Sequence, residues 1–148
     1  MSRLVSIHGT PATQRNRLRR TIAEALRLLV TKPTLDDEAK DLAATIVFSL
    51  RAIREGVEQT AAAWEKRNYF VKADRFRMEW DWVARVEREM VDAILMGQWH
   101  KLLPALGELT GRFHDVTISK VTRSSKLWAG AYERLLDEKT APSWRGKL

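Results

Sequence analysis

Cysteine is absent from the 148 residues. Disulfides, thiolate catalysis and zinc–sulfur sites are therefore excluded. A reducing cytoplasm is compatible with this composition. No apolar run approaches the roughly 18 residues of a membrane span; the best, Ala43 to Leu50, is followed at once by Arg51. No apolar core precedes a small-residue cleavage site, so no secretory signal is read. The first 23 residues carry Arg, Ser and Thr but no acid, as transit peptides do. Leu18, Ile22, Leu26 and Leu29 within and after them nonetheless read as a bundle helix.

Glycine and histidine are also scarce, with seven and three residues. None of the glycines builds a G-x-G-x-x-G turn or a lysine-containing phosphate loop. Gly107 and Gly111 stand four apart on an expected helix, a spacing that permits close helix packing. Thr110 between them does not make a nucleophile elbow. A di-iron carboxylate bundle needs Glu-x-x-His on two helices. The residues three before His8, His100 and His114 are Val5, Gly97 and Gly111. His100 and His114 would be about 21 Å apart on one straight helix. The sequence thus gives no metal site, no cofactor site and no catalytic residue.

Charge is plentiful but uneven. Residues 1–32 hold seven basic residues and one acid, residues 33–97 hold ten and thirteen, and residues 98–148 hold nine and five. The middle is mildly acidic and both ends are basic, within a net charge of +7. Such asymmetry suits a polyanion partner, or basic ends packed beside an acidic middle. Acids recur in pairs: Glu55 with Glu58, Glu79 with Asp81, Glu87 with Glu89 and Asp92. Basic residues at helical spacing, such as Arg85 for Asp81 and Arg77 for Asp74, mark these as solvated faces rather than acid–base dyads.

What the sequence does contain is helical period. Leu42, Ile46, Leu50, Ile53, Val57 and Ala61 recur at steps of three and four, with Leu35 and Trp64 at the ends of the run. Ala73, Phe76, Trp80, Val83, Val86, Met90 and Ile94 do the same after Tyr69. Each set lies on one helix face. Each run is a rod of roughly 45 Å. The pattern predicts helices over 12–30, 35–67 and 69–96. Thr10 is the expected N-cap of the first and Pro11 its first residue. Pro33 ends that helix. Thr34 is the expected cap of the second, with Asp36, Asp37 and Glu38 complementing its dipole. Asn68 is the expected interruption and Gly97 the C-terminal cap of the third.

The last third keeps a helical period through Trp99, Leu102, Leu103, Leu106, Leu109, Phe113 and Val116, disturbed by Pro104. The β-branched stretch 116–122 has no strand to pair with and is read as helix. Leu127, Trp128, Ala131 and Leu135 complete the apolar face. The expected architecture is all-α: an antiparallel up-down bundle of four helices, or five if Pro104 or the 116–122 stretch breaks the last. One domain spans 1–139, opening with a loose lead over residues 1–9 and followed by a tail over 140–148.

Two features carry candidate function. Arg15, Arg17, Arg19, Arg20 and Arg27 line the first helix, with Glu24 as its one acid. Such a stripe can track phosphates with salt-sensitive affinity, or pair internally with acids of the long helices. The second is Trp82. Trp80 belongs to the apolar stripe and is expected to be deeply buried. Trp82, two residues on, points about 200° away on a straight helix. With Met78, Arg75 and Arg85 it forms a candidate protein interface, and Trp99 and Trp128 add further anchors. The leading reading is a non-enzymatic binding or assembly protein, cytoplasmic, that self-associates as a homodimer. A nucleic-acid-binding protein using the first helix is the alternative. A third is a ligand-binding or enzymatic bundle with a Trp-lined pocket.

Overall fold

The computed structural model describes residues 9–140; the expected lead, apart from Gly9, and the expected tail, apart from Thr140, lie outside them. The described residues are all-helical, with no strand. The elements are α1 (Pro11–Val30), α2 (Asp37–Lys66), α3 (Phe70–Trp80), α4 (Trp82–Leu95), α5 (Leu102–Arg112) and α6 (Ala131–Thr140). A short 3-10 turn, Trp99–Lys101, precedes α5. Pro104 falls in the first turn of α5, where a missing N–H breaks no helical bond.

Local chemistry sets most boundaries. The Thr10 hydroxyl accepts from the Thr13 N–H, and Pro11 opens α1. The cap of α2 is Asp36, not Thr34: its carboxylate accepts from the Ala39 N–H at 2.8 Å. α2 ends at Asn68, the one non-glycine residue described with positive φ, at 64°. The Asn68 N–H donates to Glu65 O and the Tyr69 N–H to Trp64 O. α4 ends the same way around Gly97, whose N–H donates to Ile94 O while Gln98 N–H donates to Ala93 O. Both are Schellman closures, which need a left-handed residue at that position.

α2 is the axle. It packs against α1, α3, α4 and α6. Its residues Leu42 to Val47 are all buried, because neighbours enclose that half from several sides. In its second half only Ile53, Val57 and Ala61 stay buried, so that half is covered on one side. Ile22 of α1, Ile46 and Leu50 of α2, Met90 and Ile94 of α4, Leu109 of α5 and Leu135 of α6 meet in one core. Leu35 is exposed and Trp64 half-buried, so the α2 stripe is shorter than its period predicts.

Two expectations are corrected here. The rod expected over 69–96 breaks at Asp81 into α3 and α4. Trp80 is half-buried, and Trp82 is the buried one, 7% exposed. A straight helix would send the two rings to opposite sides. The bend instead brings them to 6.1 Å, nearly parallel, with Trp82 edge-on to Phe113 at 5.7 Å. Trp128, 6% exposed, is buried too, and half-buried Trp99 lies 5.6 Å from the Tyr132 ring, so these expected anchors are largely internal.

The second correction concerns the last third. Residues 113–130 are neither helix nor strand. α5 descends beside α4, with Arg85 paired to Glu108. The chain then lies across α1: Asp115 meets Arg19 and Ile118 O meets Arg27, after which Lys120 O meets Arg20 and Thr122 meets Glu24. It arrives beside the start of α2, where Asp41 accepts from the N–H groups of Gly130 and Tyr132. α6 therefore starts beside Asp41, and its Glu138 reaches Arg51. It runs parallel to α2, and the up-down order stops at α5.

Candidate interaction surfaces

The arginines of α1 do not form a free stripe. Arg15 lies over the rings of Phe76 at 4.9 Å and Trp80 at 5.6 Å. Burial lowers its pKa, partly offset by Glu79. Arg19 clamps both oxygens of Asp115 at 2.6 Å and lies over the Phe113 ring. This bond holds the Asp115 carboxyl below its ordinary value. Arg20 donates to Glu24 at 2.8 Å and to Lys120 O at 3.0 Å. Arg27 donates to Ile118 O at 2.7 Å. Arg17 alone among the five is exposed with no side-chain partner among the described residues.

Arg15 alone faces an acid of the expected long helices, Glu79. The hydrogen-bond partners of Arg19, Arg20 and Arg27 are carbonyls and one acid of the returning segment, together with Glu24 on α1 itself. Glu24 is the centre of this arrangement. It is 1% exposed yet charged. Its carboxylate accepts from the N–H groups of Thr122 and Arg123 at 2.8 Å each. It also accepts from the Thr122 hydroxyl, Arg20 and the Arg123 guanidinium. Burial by itself would raise its pKa. The Arg123 N–H, the Thr122 hydroxyl, Arg20 and the Thr122 N–H outweigh burial and hold it at about 2. The sequence marks Glu24 only as the single acid in a basic helix. Apart from Arg20, its partners lie 98 and 99 residues away, beyond any local pattern.

This arrangement gives an expected result. Replacing both Arg20 and Arg27 with Gln keeps helix propensity but removes two charged donors to the returning segment. The double variant is expected to lose about 1–3 kcal/mol in thermal or urea unfolding. Unchanged stability would mean that the two guanidinium groups are free for a ligand.

Other ion pairs tie helices together. Glu87, buried between α2 and α4, accepts from Arg51 and Arg54, and Arg51 also grips Glu138 of α6. Arg77 of α3 reaches Glu58 and Glu65 of α2. Arg85, expected on an interface, is taken by Glu108 at 2.7 Å. Among the described residues no group of three or more His, Asp or Glu converges as a metal site. His114 Nδ1 lies 2.8 Å from Gly111 O.

An open cleft of about 980 Å³ lies between α2 and the α3–α4 bend, lined in part by Arg54, Glu58, Arg77, Trp80 and Asp81. The ion pairs of Arg54 and Arg77 close its charged wall upon itself. Trp80 is the one tryptophan among its lining residues, and the cleft is broad and open rather than enclosed.

The remaining surface is the outer side of α3. At about 100° per residue, Ala73, Phe76 and Trp80 face inward together. Val71, Asp74, Arg75 and Met78 face the opposite way. Val71 is 65% and Met78 70% exposed. Tyr69 and Phe70, also exposed, continue this apolar ground to the α2–α3 apex. Of the four residues expected at an interface, Met78 and Arg75 lie on this face. Trp82 is buried behind it, and Arg85 is paired elsewhere.

No helix of the described residues is long and apolar enough to cross a membrane. No family model matches this sequence, and neither a curated protein nor a solved structure gives a match.

Proposed function

We propose that the chain is a non-enzymatic binding and assembly protein that self-associates through the outer face of α3. One observation carries this reading. Tyr69, Phe70, Val71 and Met78 are four of the nine large apolar side chains left exposed among the described residues. They sit within ten consecutive positions, on a helix whose inner side is already used. Single exposed apolar residues need no explanation, but a local concentration marks a contact surface. The reading places the protein in the cytoplasm, where a cysteine-free chain needs no oxidising environment.

Polyanion binding through α1 ranks behind this, because Arg19, Arg20 and Arg27 would have to leave internal partners to meet phosphates. Arg17 alone stands ready, and one phosphate contact is a weak foothold.

Sedimentation over a micromolar range tests the proposal. The parent chain is expected to shift from monomer to dimer with concentration. Val71→Lys with Met78→Lys is expected to remain monomeric, while Leu103→Lys, also at an exposed apolar site but on α5, is expected to behave as the parent. A parent chain that stays at 17.1 kDa throughout rejects the proposal.

A further inference from the structure

The exposed face of α3 carries an apolar line with one charge on either side of it. Val71 and Met78, seven residues apart, lie within about 20° of one another around the helix. At about 100° per residue, Asp74 lies about 50° to one side of their line and Arg75 about 50° to the other. The two charges differ in height by one residue, about 1.5 Å along the axis. The seam therefore has an acidic flank and a basic flank.

We infer that a second copy of this chain docks here with its α3 parallel to the first, the two-fold axis running along the seam. This rests on the self-association proposed above and adds its orientation. A two-fold axis parallel to the helices exchanges the flanks. The acidic flank of each chain then lies beside the basic flank of the other, and Asp74 meets the partner's Arg75. That contact occurs twice, once on each side, as an isologous interface requires. With axes about 8–10 Å apart, the Cβ atoms of each such pair come within roughly 6 Å, inside ion-pair reach. An antiparallel pair leaves each flank beside its own kind, Asp74 with Asp74 and Arg75 with Arg75, which is repulsive. Flanking charges set direction in the same way in two-stranded coiled coils.

These charges are available. The Asp74 side chain is 72% exposed, and its one ion pair, to Arg77, is long at 3.8 Å. Arg75 is exposed and makes no ion pair among the described residues. Arg77, on the same flank as Asp74, already holds Glu58 and Glu65. The parallel pair also brings both α2–α3 apices to one end, where exposed Tyr69 and Phe70 of the two chains continue the apolar contact. Arg67 and Lys72, cations of the same apices, lie over the Tyr69 and Trp64 rings of their own chain.

The helix is short. Eleven residues span about 16 Å, so the contact falls toward the small end of stable interfaces. The expected affinity is therefore micromolar, with electrostatics setting the orientation and Val71 and Met78 supplying the apolar burial.

Single thiols and reversed charges test the orientation. Val71→Cys alone and Met78→Cys alone are each expected to link into a disulfide dimer under mild oxidation, because each residue meets its own copy. In an antiparallel pair centred on the seam the copies stand about 10 Å apart along the axis, and neither links. Asp74→Arg and Arg75→Asp are each expected to self-associate at least about tenfold more weakly than the parent, since like charges then meet on both flanks. Mixed in equal amounts, the two reversed chains are expected to associate within about threefold of the parent affinity. Circular dichroism of each chain should match the parent, since both positions are on the surface. If the parent dimerises but neither single thiol links, or Asp74→Arg associates as the parent does, the parallel seam is wrong while self-association stands. If the parent is monomeric at every concentration, self-association itself fails.

Discussion

Glu24→Ala is expected to lower stability by about 3–5 kcal/mol and to release the returning segment from α1. The substitution strands two backbone N–H groups, a hydroxyl and two guanidinium groups that now converge on one carboxylate. Trypsin is expected to cut the variant at Lys120, Arg123 and Lys126 under conditions that leave the parent whole. The same carboxylate predicts an acid limb. Its folded pKa, about 2, lies below its ordinary value of 4.5. A depressed carboxylate contributes its full stabilisation above the unfolded pKa and loses it as pH falls through the folded one. Between pH 4.5 and 2 the parent should therefore lose about 3 kcal/mol from this group alone. Glu24→Gln should be less stable at neutral pH and show a shallower decline over that window. Parallel acid profiles for parent and variant would contradict this role for the carboxylate.

Trp82→Ala is expected to cost about 3–5 kcal/mol of folding stability. Its ring is enclosed by Trp80, Phe113 and Arg112, whose guanidinium lies 4.7 Å above it. The loss should appear in melts at concentrations where the chain is monomeric. Trp80→Ala should cost less, because that side chain is only half-buried. If Trp82→Ala leaves the melt unchanged and weakens association instead, Trp82 is an interface residue after all, and the burial described here does not hold in solution.

The reversal of these two tryptophans shows where sequence reasoning stops. Helix ends that depend on a few neighbouring residues were legible: Thr10 with Pro11, Asn68, and Gly97 all end or begin helices where their chemistry directs. The break at Asp81 was not. No proline or glycine stands there, and Asp81 itself keeps helical torsions at φ −65° and ψ −24°. The bend accompanies tertiary packing, as the Trp80 and Trp82 rings stack, while Val83, Val86, Met90 and Ile94 beyond it stay buried as their period predicts. Residues 113–130 were illegible for a related reason. Their backbone groups are met in part by side chains of α1 and α2, and a periodicity search sees only apolar spacing. Met78 and Arg75 are exposed because they lie opposite the inward residues of one unbroken helix, where the 3.6-residue period still applies.

The central claim is that two chains meet through the outer face of α3. Since the chain has no cysteine, thiols placed at chosen positions report contacts without background. Val71→Cys with Met78→Cys sets two thiols about 10 Å apart on one helix, too far for an internal disulfide, whose Cα atoms lie about 4.4–6.8 Å apart. In a dimer through this face, thiols of the two chains come together. Under mild oxidation at tens of micromolar, on the order of the expected affinity, the double variant should run on a non-reducing gel at twice the 17.1 kDa chain mass. Leu103→Cys, at an exposed site on α5, should remain monomeric. A double variant that stays monomeric, or a Leu103→Cys chain that links equally well, would contradict the account.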